Sequence, residues 1–200
     1  MVDKKLVDLG VLSYRPVGMF SLRKTRSFTK EKNVQIGRMV KIVGETVIIR
    51  EGARIDSHCR IEGRTIKLEK NSRLQHHVQI GGLQTDMSQC EIGENAEIFT
   101  ETFLNDSFPI RIGKNVGIGG RSMIWTHAGW RKFENRFGPV AIEDDAWLAW
   151  HVIVNPGITI GAGSIIGGGS VVTKSIPPDS FAAGVPAKVI GRASEYNSHA

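Results

Sequence analysis

Aliphatic residues recur every six positions along most of this chain, and no other feature restricts its fold so tightly. From Ile142 they fall at Ile142, Leu148, Val154, Ile160, Ile166 and Val172, and the same phase holds upstream at Ile112, Ile118 and Ile124. Shifted triplets stand at Ile49, Ile55 and Ile61, at Leu68, Leu74 and Ile80, and at Ile92, Ile98 and Leu104. Small residues follow several of these, among them Gly113, Gly119, Ala149, Gly161 and Gly167. The spacing fits neither the period of about 3.6 of an amphipathic helix nor the period of about 2 of an ordinary strand. A triangular coil does fit: three short strands per turn each send one aliphatic side chain inward, and a small residue beside it lets the chain turn without a clash. Triplets starting at 49, 68, 92 and 112 are 19, 24 and 20 residues apart, one coil plus short insertions at corners. The expectation is an all-β parallel coil with roughly six or seven turns over residues 49–175, roughly 30 Å long.

Composition agrees. The chain has 23 Gly and only 7% aromatic residues, which suits a repetitive aliphatic stack. Hydrophobic residues at 40% and charged residues at 23% are ordinary for a soluble globular protein and argue against disordered and membrane classes. The N-terminus has no apolar run that would serve as a signal peptide or a span, so the expected location is cytoplasmic. Cys59 and Cys90 are too few for a disulfide framework, lack metal-site spacing and read as buried free thiols. The net charge of +6 resides in residues 1–38, which hold nine Lys/Arg against three Asp/Glu. These residues form an expected basic N-terminal arm, a solvated or subunit-contacting face or a weak contact to an anionic surface; without interleaved aromatics it does not read as a nucleic-acid binder. The coil is then expected over residues 39–176, with an inserted loop at 126–141 and a capping segment and tail at 177–200. Lys174-Ser175-Ile176-Pro177-Pro178 breaks the repeat and sends the chain out as an extended segment covering a flank, because a parallel stack leaves its last turn unpaired.

Residues 126–139 depart from the hexads and are rich in aromatics and charges, the kind of projecting loop in which function concentrates. His127 stands at its root. A histidine there can deprotonate a hydroxyl near neutral pH, but position alone leaves a base and a merely structural histidine equally open. The Gly-rich run GAGSIIGGGS lacks the Gly-Lys-Ser/Thr of a phosphate loop, and no Gly-x-Ser-x-Gly elbow offers a serine nucleophile.

Two stretches carry a resemblance: IRIGKNVGIGGRSMIWTHAGW, and AIEDDAWLAWHVIVNPGITIGAGSIIGGGSVVTKSIPPDSFAAGVPAKVIG, whose ending is far more specific than the degenerate hexads. Residues 112–190, about two fifths of the chain, resemble the hexapeptide-repeat acyltransferases, in particular the galactoside, maltose and polysaccharide O-acetyltransferases. The resemblance implies a left-handed parallel β-helix, a triangular prism of hexapeptide repeats with a protruding loop and a short extended C-terminal segment. It also implies a homotrimer with active sites at subunit interfaces, acetyl-CoA as co-substrate, no metal, and a saccharide acceptor. His127 takes the place of the catalytic base. Mapped by the same resemblance, Trp147 and Ala149 would border the pantetheine arm, Gly167 would offer it backbone, Thr173 and Lys174 would meet the nucleotide phosphates, and Lys188 would add a second cation. Asn105 corresponds to an Asn near the acceptor and would hydrogen-bond a developing oxyanion, with Glu101 an equally placed polar candidate. Trp125, Trp130 and Phe133 can stack on a sugar ring, or pack on a neighbouring subunit.

The loop lacks the second histidine some relatives carry, so the group orienting His127 is unidentified. Trp150 replaces a small residue, and His151 reads as structural. Three other readings stay open. They are N-acetylation of an amino sugar nucleotide, a γ-carbonic-anhydrase-like metal hydratase drawing on His76 or His77 with His127 and His151, and a non-catalytic scaffold.

Overall fold

The computed structural model describes residues 21–23, 25–129 and 136–197. The chain winds as a left-handed parallel β-helix of three faces. The first face runs from strand Ser21–Arg23 to Val171–Val172 and holds eight strands; the second runs from Ser27–Lys30 to Thr159–Ile160 and holds seven. The third runs from Gln35–Ile36 to Ser180–Gly184 and ends on an antiparallel strand, Ala187–Arg192. Eight coils at the usual spacing between strands make a prism about 35 Å long. Among the described residues no helix is long and apolar enough to cross a membrane.

The hexads form the core. Ile49, Ile55, Ile61, Leu68, Leu74, Ile80, Ile92, Ile98, Leu104, Ile118 and Ile124 are buried, as are Ile142, Leu148, Val154, Ile160, Ile166 and Val172. Parallel pairing puts like on like: Ile98 stands over Leu74 and under Ile118, and Leu148 links Ile118 to Ile166. Each such side chain contributes about 1.5–3 kcal/mol on burial. Two positions before the inward aliphatic the corner takes a small residue, including Ala53, Ala96, Ala146, Ser72, Ser122 and Ser164. Cys59 occupies the same kind of position, whereas Cys90 lies within strand Gln89–Ile92 in register with Ile66 and Ile110; both thiols are free and buried. Burial pushes the Cys59 thiol up to about 12, and its Sγ donates to the Gln75 carbonyl at 3.0 Å.

At the edge between the second and third faces and at the edge between the third and first, the backbone enters the left-handed region three positions before the inward aliphatic. At the edge between the second and third faces Asn71, Asn95, Asn115 and Asp145 have φ of 55°, 57°, 54° and 60°. Their side chains form a ladder: Asn71 Nδ2 donates to Asn95 Oδ1 at 3.3 Å, Asn95 Nδ2 to Asn115 Oδ1 at 3.1 Å, and Asn115 Nδ2 to Asp145 Oδ1 at 2.8 Å. Asn and Asp tolerate this conformation better than other side-chain-bearing residues.

Two boundaries differ from the sequence expectation. Ser21–Arg23 pairs with Lys41–Val43 and Ser27–Lys30 with Thr46–Ile49, so residues 21–38, expected in a basic arm, build a first coil. The described residues of that span carry five of the nine Lys/Arg and one of the three Asp/Glu, so most of the charge excess belongs to the first coil; residues 1–20 and 24 are outside the described set. The apolar period is weak there, with Phe28, Val34 and Ile36 only partly buried. At the other end, Ser180–Gly184 does not cover a flank. It extends the third face by pairing with Ile165–Ile166, then turns back antiparallel, closing the open edge of that sheet. Ala193–Asn197, expected as tail, is a helical turn that Asp179 caps through the Ser194 N–H and hydroxyl.

Asn95→Ala removes two ladder bonds and places an alanine in left-handed backbone, and should cost about 2 kcal/mol in urea unfolding. Asn95→Gly, which relieves the backbone, should cost clearly less.

Candidate active site

Both long departures from the coil leave at one edge, between the first and second faces. Residues 81–88 bulge out of the fourth coil, between Gln79–Ile80 and Gln89–Ile92. Two coils further on, the chain leaves after Met123–Trp125 and returns at Val140–Ile142; its root is a two-stranded antiparallel ladder, His127–Ala128 against Arg136–Phe137. The fifth-coil edge, Asn105 to Pro109, lies between these insertions.

The polar groups of this edge form one network. Thr126, fully buried, donates its hydroxyl to the Asn105 carbonyl at 2.5 Å and accepts from the Phe108 N–H at 2.9 Å. Asn105 Oδ1 accepts from the Ser107 hydroxyl at 2.8 Å and lies 3.3 Å from the Thr126 hydroxyl, which commits that oxygen and leaves Nδ2 as the amide's remaining donor. Ser107 in turn holds the 81–88 loop: its hydroxyl accepts from the Leu83 N–H at 2.9 Å, and its carbonyl accepts from the Thr85 hydroxyl at 2.6 Å.

His127 is half-buried at the end of this network. No side-chain partner orients it by hydrogen bonding among the described residues. Its ring packs on Phe137, centroids 4.7 Å apart, and Phe137 packs on Phe108 at 5.1 Å. Phe137 is thus the orienting group that sequence reasoning missed; the signal would have been its register opposite His127, which an irregular loop sequence does not advertise. Trp125 is next to Asn105 in strand register and packs edge-on against Phe103 at 5.4 Å.

A second cluster occupies the third face. Gly119, Ala149, Gly167 and Ala183 follow inward aliphatics in paired register and make an outward stripe of small residues. A Cβ on Gly167 would stand 2.9 Å from that of Ala183. Trp147 lies flat over Gly117, where a Cβ would come within 2.3 Å of its ring, and Trp150 covers Gly120 in the same way. Phe99 meets both indoles edge-on, at 5.6 Å and 6.3 Å. Lys188 is on the strand that ends this face, opposite Ala183.

The structure divides the expected site residues. His127, Asn105 and Trp125 share the edge between the first and second faces, as do exposed Thr173 and Lys174 at its last coil. Trp147, Ala149, Gly167 and Lys188 belong to the third face. In a three-sided prism that face is opposite that edge, so one chain does not bring the two clusters together. Lys174 and Lys188 are likewise separated. Glu101 is at the far end of strand Phe103–Asn105 from Asn105, in left-handed backbone, and its carboxylate accepts from Arg121 Nε at 2.8 Å. It is therefore not an alternative to Asn105: the corner geometry turns it to another edge. Trp130 and Phe133 are outside the described residues. His77 and His151 occupy left-handed corner positions on the edge that carries Glu101, away from His127. Among the described residues no three His, Cys, Asp or Glu converge as metal ligands.

No protein-family model matches the chain. It is 36% identical to galactoside O-acetyltransferase of Escherichia coli (strain K12) over 118 residues, 56% of this chain and 58% of that relative. The match thus spans little more than half of the relative's length. Among solved structures, a hexapeptide-repeat containing acetyltransferase from Vibrio cholerae superposes with a TM-score of 0.55 at 30% identity, covering 64% of this chain and 73% of that one. A polySia-specific acetyltransferase shares the fold, with a TM-score of 0.54 over 90% of this chain and 98% of its own, at 18% identity. The chain belongs to the hexapeptide-repeat acetyltransferase family.

Thr126→Val keeps the shape but leaves the Asn105 carbonyl and the Phe108 N–H without their partner. It should lower stability by about 2–3 kcal/mol in urea unfolding, and Thr126→Ser by much less.

Proposed function

We propose that this protein is an acetyl-CoA-dependent O-acetyltransferase that modifies a hydroxyl of a saccharide or polysaccharide. His127 is the general base and Asn105 a hydrogen-bond donor in the same site. The observation that carries this reading is the edge itself: a half-buried imidazole fixed by Phe137, beside an amide whose oxygen is engaged so that its nitrogen remains to donate. His127 takes the acceptor hydroxyl proton as that oxygen attacks the thioester carbonyl. A C–O bond forms, the C–S bond breaks, and the imidazolium returns the proton to the departing thiolate, so no acyl-enzyme is needed. Asn105 Nδ2 stabilises the oxyanion of the tetrahedral intermediate.

The donor fits the third face. The stripe of Gly119, Ala149, Gly167 and Ala183 lets a slender pantetheine arm approach the backbone, and Trp147 and Trp150 wall it. Lys188 at the end of the face, and Thr173 with Lys174 on the terminal coil, are the groups assigned to phosphate. Because that face is opposite the His127 edge, the complete site takes one element from each of two protomers. A head-to-tail contact between prisms forms a closed ring when its rotation permits, and a ring of three, a homotrimer, is the assembly proposed. The cellular setting proposed is the cytoplasm, where the buried thiols of Cys59 and Cys90 stay reduced. Any anionic-surface contact belongs to the basic first coil together with residues 1–20.

Purified protein should acetylate members of a panel of saccharide acceptors with acetyl-CoA, and His127→Ala should reduce kcat by about 10²–10⁴ without weakening acetyl-CoA binding. Acetylation of amino sugar nucleotides alone would replace O-transfer by N-transfer; calorimetric silence toward acetyl-CoA would remove the enzyme reading. Ala149→Trp, which fills the stripe, should raise KM for acetyl-CoA. At acetyl-CoA well below the raised KM, refolding His127→Ala together with Ala149→Trp should give more activity than either variant alone, because mixed trimers contain interfaces with both elements intact; no gain would count against a shared site.

A further inference from the structure

Asp106 is buried at 0% exposure, and neither of its carboxyl oxygens has a hydrogen-bond partner among the described residues. The 81–88 bulge explains why there is room for it. At this edge the second and third coils turn on Gly44 and Gly63, while the fourth coil swings outward through residues 81–88 and withdraws from the interior. The Asp106 carboxyl fills the gap from above, reaching past the fourth coil so that a Cβ on Gly63 would be 2.3 Å from its Oδ2. The titratable group facing it from the second face is the Cys90 thiol, itself buried and driven further toward its neutral form first by burial and then by this carboxyl. Among the described residues no cation answers it. Arg64, next to Gly63, is engaged by Glu45 and Asp86, and Lys67 and Arg111 are engaged by Glu91. From the Thr65–Leu68 strand the nearby group is Ile66, which is apolar.

We propose that Asp106 is a protonation-operated latch on this edge: with the carboxyl neutral the corner is dry and the 81–88 loop is docked, and with it ionised water enters and the loop is released. Its neighbours in sequence transmit the change. Ser107 holds Leu83 and Thr85 of the loop, and Asn105 is bonded to Thr126 at the root of the His127 hairpin. Burial pushes the carboxyl up to about 7. The folded chain therefore holds this proton more tightly than the unfolded chain; the stabilisation is complete below the ordinary carboxylate range and is lost as pH rises through about 7.

The inference does not depend on the acetyltransferase reading and is tested without turnover. Hydrogen exchange of residues 81–88, corrected for intrinsic base catalysis, should be about ten-fold faster at pH 8 than at pH 6 in the wild type. Asp106→Asn, which cannot ionise and leaves every histidine in place, should lose that difference and melt above the wild type at pH 8. Infrared difference spectra at pH 6 should show a protonated carboxyl band that Asp106→Asn lacks, a readout that stands even if the variant folds poorly. Its absence from the wild type, or an undiminished pH effect in a folded Asp106→Asn, would overturn the latch.

Discussion

The structure depends on closing each triangular turn around one aliphatic side chain per strand. Among the described residues no helix or second sheet layer covers the faces of the prism; its interior is a column of Ile, Leu and Val in vertical register, and each coil is stable only because its neighbours cover it. The corners make that closure possible. At two of the three edges they combine a compact residue two positions before the inward aliphatic with left-handed backbone one position earlier, a conformation that glycine and short polar side chains accept at least cost. The asparagine ladder uses the same corner residues a second time, to join coil to coil.

A stack of this kind tolerates insertions only where they leave the pairing register intact. Both the 81–88 bulge and the 126–139 excursion depart at an edge and rejoin the next face in phase, so Cys90 and Ile92 still meet Ile66 and Leu68 below and Ile110 and Ile112 above. The fourth coil nevertheless loses its corner, and the gap is filled by a carboxyl group rather than an apolar one. Burying an ionisable group without a partner is costly, and this occurs on the edge where the candidate base, its aromatic support and the acceptor-side amide are assembled.

The two halves of the proposed chemistry sit on opposite sides of one prism. An edge suits a base and an acceptor because loops can grow from it, whereas a face suits a long, thin donor because parallel register lays small residues in a continuous stripe. Under the proposed reading, assembly of protomers is then part of the active site and not an accessory to it, since a rigid prism cannot fold its edge onto its own far face.

Much of this was legible in the amino-acid order. The six-residue period specified a triangular coil because it records a local, repeated geometric demand, and the residues it named are the buried column. The same order placed His127 at the root of an excursion and set small residues behind successive aliphatics. It did not reveal that residues 21–38 wind into the prism, since their apolar period is weak and the pairing of Ser27–Lys30 with Thr46–Ile49 is a contact between coils. Nor did it separate Glu101 from Asn105, indicate Phe137 against His127, or expose the unpartnered Asp106. Those depend on which edge each corner turns toward and on what an insertion in the adjacent coil leaves empty, and such relations exist only once the strands have paired in three dimensions.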